Sequence, residues 1–175
     1  MAEHISIKKN KNKKSADADF MLNALRLAGI AFDNDEVPVG AVVVRENKVI
    51  AKGYNQVELL SDPTAHAEIL ALTSACAHIK SKWLENCTLY VTIEPCAMCA
   101  GALILSRISR VVFGAADPKT GAFGSKTDVN KLGLNHKIKV KKGVLEKECA
   151  EIIREFFKNK RRRPAKDATW KSSQD

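Results

Sequence analysis

The 175-residue sequence contains no apolar run that approaches the ~20 residues a membrane-crossing helix needs. Its first residues do not set a charged segment, an apolar middle and a small-residue cleavage site in succession, so no secretory leader is read there. Cysteine is sparse and odd in number: Cys76, Cys87, Cys96, Cys99 and Cys149. The one close pair, Cys96 and Cys99, has the spacing of metal ligands rather than of a disulfide framework. Neither an internal repeat nor a linker divides the chain. These absences exclude a membrane-spanning class, argue against a disulfide-stapled secreted fold, and predict one domain in a reducing, cytoplasmic compartment.

Acidic residues are also in short supply. Twenty Asp and Glu face 29 Lys and Arg, giving a formal net charge of +9. Much of the excess sits at the ends, with Lys8, Lys9, Lys11, Lys13 and Lys14 near the start and Lys158, Lys160, Arg161, Arg162, Arg163 and Lys166 near the finish. Such clusters suit polyphosphate partners or an import signal; they equally suit solvated ends with no partner. Residues 1–16 are expected to be a disordered basic extension and 164–175 a disordered tail, with the folded domain over 17–163.

Between the ends, apolar residues at Met21, Leu25, Ala28 and Phe32 predict a helix over 18–32, with Asp17 as its N-cap. Residues 41–44 and 49–51 read as a hairpin turning at 46–48. A loop is expected up to Pro63, where Asp62 as N-cap and Pro63 at the first helical position open a helix to His78. Residues 88–93 and 110–114 read as strands flanking a helix over 96–106. Residues 115–136 form a long loop, 137–140 an edge strand, and 145–159 a last helix with Leu145, Cys149, Ile152 and Phe156 on one stripe. Alternating strands and helices predict an α/β sheet with helices on both faces.

Two motifs carry chemistry. Residues 66–68 read His-Ala-Glu and residues 95–99 read Pro-Cys-Ala-Met-Cys. Alone, a C-x-x-C pair is as consistent with redox chemistry as with metal, and a single helical His is usually packed or solvated. Together they make the H-x-E and P-C-x-x-C pattern of zinc nucleobase deaminases. His66, Cys96 and Cys99 supply nitrogen and two sulfurs, which zinc favours, at helix starts whose dipoles favour thiolate. A structural zinc would need a fourth ligand, and neither His78 nor Cys87 has a chelating spacing; an open position for water is therefore predicted. Zinc lowers the pKa of such a water to about 7, and Glu68, two residues beyond the ligand, can move its protons. Cys76, Cys87 and Cys149 read as core or near-core residues.

The residues quoted so far also sit inside longer matches. Val37-Pro-Val-Gly-Ala-Val, Gly53-Tyr-Asn, Asp62-Pro-Thr-Ala-His-Ala-Glu and Glu94-Pro-Cys-Ala-Met-Cys-Ala-Gly-Ala are joined by 106–115, Asp117-Pro-Lys-Thr-Gly-Ala-Phe-Gly-Ser, Asn135-His136 and Glu155-Phe-Phe. Over residues 18–163 the chain resembles bacterial tRNA-specific adenosine deaminases of the TadA type, in the cytidine deaminase-like superfamily. The resemblance implies a three-layer α/β/α fold around a mixed five-stranded sheet, one Zn2+ per subunit and a homodimer. It implies hydrolysis of adenosine to inosine at the wobble position of a tRNA anticodon stem-loop, hydroxide on zinc attacking C6 of adenine with Glu68 as proton shuttle. It further implies that Asn55 holds the target nucleotide, that Asp117 and Lys119 border it, that Asn135 and His136 meet the anticodon loop, and that Phe156 and Phe157 line the RNA cleft. The competing readings are an enzyme of free bases or nucleosides and a non-catalytic zinc-stabilised RNA-binding subunit. His at position 66 argues against the cytidine type, and an intact Glu68 against the inactive subunit.

Overall fold

The computed structural model describes residues 16–162. Helix α1 (Ala16–Asp33) leads into a hairpin of β1 (Gly40–Arg45) and β2 (Lys48–Tyr54). Glu46 and Asn47 both take positive φ at its tip, the geometry that matches strand twist in a two-residue turn. A single-turn helix α2 (Val57–Leu60) precedes α3 (Ala67–Ile79), β3 (Cys87–Ile93), α4 (Ala97–Leu105), β4 (Arg110–Ala115), β5 (Lys139–Lys141) and α5 (Glu146–Arg162). The sheet order is β2-β1-β3-β4-β5. β1 runs antiparallel to β2 and β3, while β3, β4 and β5 are mutually parallel. The expected mixed five-stranded sheet is therefore present.

Period-two alternation divides the core into two layers. Ala41, Val43, Leu89, Val91, Val111 and Phe113 pack under α3 and α4 on one face. Val42, Val44, Tyr90 and Val112 pack under α1 and α5 on the other, against Met21, Ala24 and Cys149. Two glycines set how closely helices approach. A Cβ at Gly40 would collide with the Ala24 carbonyl of α1, and one at Gly53 with the Ala67 carbonyl of α3. No described helix is long and apolar enough to cross a membrane.

Several local expectations are corrected. Asp17 lies inside the first turn of α1 and does not cap it. Its carboxylate grips Arg110 Nη1 and Nη2 (2.9 and 2.8 Å), Lys141 Nζ (2.6 Å) and Tyr90 Oη (2.7 Å). Asp62 does not open α3; it accepts from the Thr64 N–H and hydroxyl, holding a turn ahead of the helix. The segment up to Pro63, expected to be loop, contains α2. The long loop contains a 3-10 turn at Val129–Lys131 with Asp128 at its N-cap. The last helix starts after Leu145, whose φ of 53° is non-helical, and runs on to Arg162. The expected basic extension and tail lie outside the described residues, except that Ala16 already belongs to α1.

Candidate metal centre and active-site cavity

The ends of four strands meet at one side of the sheet. β2 finishes at Tyr54, β3 at Ile93 and β4 at Ala115, and the antiparallel β1 begins there at Gly40. In open α/β sheets the crevice beyond the carboxyl ends of the strands is where ligands bind. Here it is a cavity of about 590 Å³ lined in part by His66, Glu68, Cys96, Asn55, Glu36, Glu94, Asp117 and Phe156.

His66 and Cys96 are N-caps, of α3 and α4, with extended backbone (ψ 151° and 174°). Neither side chain caps its own helix. Both line the cavity, and Cys99, in the first turn of α4, lies buried against them. His66 Nδ1 lies 3.7 Å from Cys96 Sγ and 3.5 Å from Cys99 Sγ. A tetrahedral zinc with Zn–N near 2.05 Å and Zn–S near 2.3 Å requires N···S edges of about 3.6 Å. The spacing fits that ion. All donor atoms lie within 4.8 Å of one another, and among the described residues no fourth Cys, His or carboxylate belongs to the group. His78 and Cys87 stay outside it. Cys87 and Cys149 are buried in the core and Cys76 is half-buried, as expected.

The electrostatics suit metal binding. A hydrogen bond from the Cys99 thiol, reinforced by His66, holds Cys96 down to about 4 against the cost of burial. The same bond and burial push Cys99 up. The bond to Cys96 raises the His66 pKa, and the nearby Glu68 charge adds to it. Glu68, second in α3, is 3% exposed. Burial pushes its carboxyl up to about 7, with the Cys96 charge adding to the rise and His66 opposing it.

The residues implied by resemblance are placed unequally. Asn55 lines the cavity, its amide nitrogen bonded to Glu36 Oε2 at 3.1 Å. Asp117 lines it too, but its carboxylate is engaged by the Lys119 and Thr120 N–H groups and the Thr120 hydroxyl. Lys119 is exposed and outside the lining. Asn135 and His136 also fall outside; His136 Nε2 is bound to the Ile108 carbonyl at 2.6 Å. Phe156 is buried, edge-to-face with Phe32, and with the exposed Phe157 forms one wall. Lys160 ties that wall to Asp35 at 2.8 Å.

Sequence reading overlooked two buried acids. Glu94 is almost wholly buried and gathers the Asp117, Phe123 and Ser125 N–H groups and the Ser125 hydroxyl. Burial opposes its charge, yet these bonds outweigh it and hold its carboxyl below the ordinary value. Glu94 thereby straps the 117–125 loop across the cavity. Glu36 is equally buried beside Asn55. Each is a carboxylate just before a Pro-containing motif, a position that does not by itself distinguish it from a solvated charge.

A profile for MafB19-like deaminases matches residues 15–161. A protein of Aquifex aeolicus described as a tRNA-specific adenosine deaminase is 50% identical over 143 residues, 81% of this chain and 94% of its own. The chain belongs to the tRNA-specific adenosine deaminases. Among solved structures, one from a study of A-to-I editing by tRNA:A34 deaminases aligns with TM-score 0.71 at 43% identity, covering 77% of this deaminase and 98% of its own chain. A guanine deaminase from Nitrosomonas europaea aligns with TM-score 0.71 at 28% identity, covering 89% and 96%. The fold of this deaminase is thus shared with an enzyme described as acting on another base.

Proposed function

We propose that the protein hydrolyses adenosine to inosine at the wobble position of a tRNA anticodon, using one Zn2+ held by His66, Cys96 and Cys99. The observation that carries the reading is a three-donor group of zinc dimensions with a buried, cavity-facing Glu68 beside it. The names of the close relatives supply the substrate. Zinc, when bound, would make water acidic enough to attack at neutral pH.

Glu68 performs the proton traffic. It takes a proton from the attacking water and passes it to ring nitrogen N1 as the C6–O bond forms. It then takes the proton of the new hydroxyl and delivers it to the amino group. The C6–N bond breaks, ammonia leaves, the C6 carbonyl closes, and Glu68 returns to its starting form. A buried carboxyl beside the attacking water can both accept and donate, which this sequence requires. Enzymes that modify a base take it out of its stack, and an anticodon loop presents bases in that form.

Phe157 and Lys160 on the rim, with Arg161 and Arg162 beyond, would meet the loop by stacking and phosphate contact. A homodimer is supported by the outer side of α4, where Met98 and Leu105 are exposed and Gly101 leaves open space. Met98 and Leu105 stand seven residues apart, two turns of α4, and so share one apolar side of the helix. A free-base reading draws on the guanine deaminase likeness. The deciding experiment incubates zinc-loaded protein with anticodon hairpins and, separately, with guanine, cytidine and adenosine. Inosine is expected only in the hairpin; turnover of a free base alone would replace the RNA reading.

A further inference from the structure

Glu36 lines the cavity but has no part in the proton traffic. It follows α1, and its backbone N–H closes that helix on the Ala31 carbonyl at 2.9 Å. Its side chain is 1% exposed, and both oxygens act as acceptors. Oε1 takes the Leu59 N–H at 2.8 Å, and Oε2 takes Asn55 Nδ2 at 3.1 Å. Leu59 is in the first turn of α2, whose N-cap Gln56 makes no side-chain cap. Glu36 therefore satisfies an otherwise orphaned helix N–H from a distant part of the chain while gripping Asn55.

Asn55 is 6% exposed and fixed twice, by its backbone N–H on the Val39 carbonyl (3.0 Å) and by its amide nitrogen on Glu36. Among the described residues its Oδ1 has no hydrogen-bond partner, and it is not sealed from solvent either. Since Asn55 lines the cavity, that oxygen is left for whatever enters. An amide has two orientations of nearly equal shape but opposite polarity, and an acceptor-only neighbour permits just one of them.

We propose that Glu36 is a positioning and specificity residue: it locks the Asn55 carboxamide with its oxygen toward the cavity, so the site selects a nucleotide that offers a donor there. This rests on the cavity taking a nucleotide, as in the function proposed above. A site built to pair with a donor penalises its absence heavily, because the buried acceptor is then left alone.

The test is polarity exchange, with zinc content and melting temperature followed throughout. In Glu36→Gln the amide oxygen can keep Leu59, but the amide nitrogen then faces Asn55 Nδ2. Asn55 must flip or lose its partner, and kcat/KM on the adenosine hairpin is expected to fall roughly tenfold or more, about 1.4 kcal/mol per decade. Asn55→Asp opposes two carboxylates and is expected to fall further. Combining both substitutions lets the introduced glutamine amide donate to the introduced aspartate carboxylate, which again turns an oxygen to the cavity; recovery of roughly tenfold over Asn55→Asp is expected. A structural role alone predicts additive losses. Glu36→Gln within about twofold of the parent, or a double variant that stays unfolded or no better than Asn55→Asp, overturns the proposal. A parent that forms no inosine sinks the substrate reading and this inference together; a parent that does, with Glu36→Gln its equal, sinks only the role of Glu36.

Discussion

At the scale of single residues, the function proposed above separates metal binding from proton transfer. His66, Cys96 and Cys99 converge because two helices begin at one side of the sheet, with His66 and Cys96 as their N-caps and Cys99 in the first turn of α4. Glu68, two residues beyond His66, lies on the cavity wall instead. Glu68→Ala is expected to retain zinc and RNA binding while losing inosine formation by at least ~10²-fold, the scale of one general acid–base group. Cys96→Ala is expected to lose both metal and stability. Metal analysis, hairpin binding and turnover on the same preparations check the contrast; full zinc occupancy in Cys96→Ala would contradict the ligand set. Motif spacing made these four residues legible in the sequence. It could not expose Glu36 or Glu94, since a lone acid before a proline motif looks like any solvated charge until its partners are known.

At the scale of elements, Asp17 is the instructive departure. Helix-start preferences predict a cap, but Arg110 of β4, Lys141 of β5 and Tyr90 of β3 claim its carboxylate, stitching α1 to three strands. No local pattern reveals this, because the partners lie 73 to 124 residues away. The Arg110 hydrogen bonds, against some cost of burial, hold Asp17 well below the usual carboxylate range. A depressed pKa means the unfolded chain binds the proton first. The network's contribution is therefore full above the unfolded value of about 3.9 and declines as pH falls below it. Asp17→Asn is expected to cost about 1–3 kcal/mol at pH 7, discounted for the half-exposed lysine, and markedly less near pH 2–3. Urea midpoints of parent and variant at the two pH values measure this; equal differences at both would contradict it. The same long-range logic explains α2, which single-residue propensities missed: Glu36 supplies its N-terminal acceptor.

At the scale of the whole molecule, α4 has two unlike sides. Its inner side is locked into the core by Ala100, Leu103 and Ile104, whereas Met98 and Leu105 face outward. Leu105→Glu is expected to shift sedimentation from a dimer toward a monomer while leaving zinc content unchanged. A parent sedimenting as a monomer would contradict the homodimer. Asn135 and His136, carried over from the resemblance, stand apart from the cavity, so their contact with RNA would have to occur beyond its rim.

The sequence by itself singled out a His-Cys-Cys donor group, an acid two residues from its histidine, and the alternation of strands and helices. These depend on short spacings and on residue chemistry that no fold alters. Only the tertiary structure decided which charges are buried. Glu36, Glu94 and Asp17 acquire their roles from donors far along the chain, and a carboxylate's function follows from who surrounds it rather than from where it stands in a row of letters.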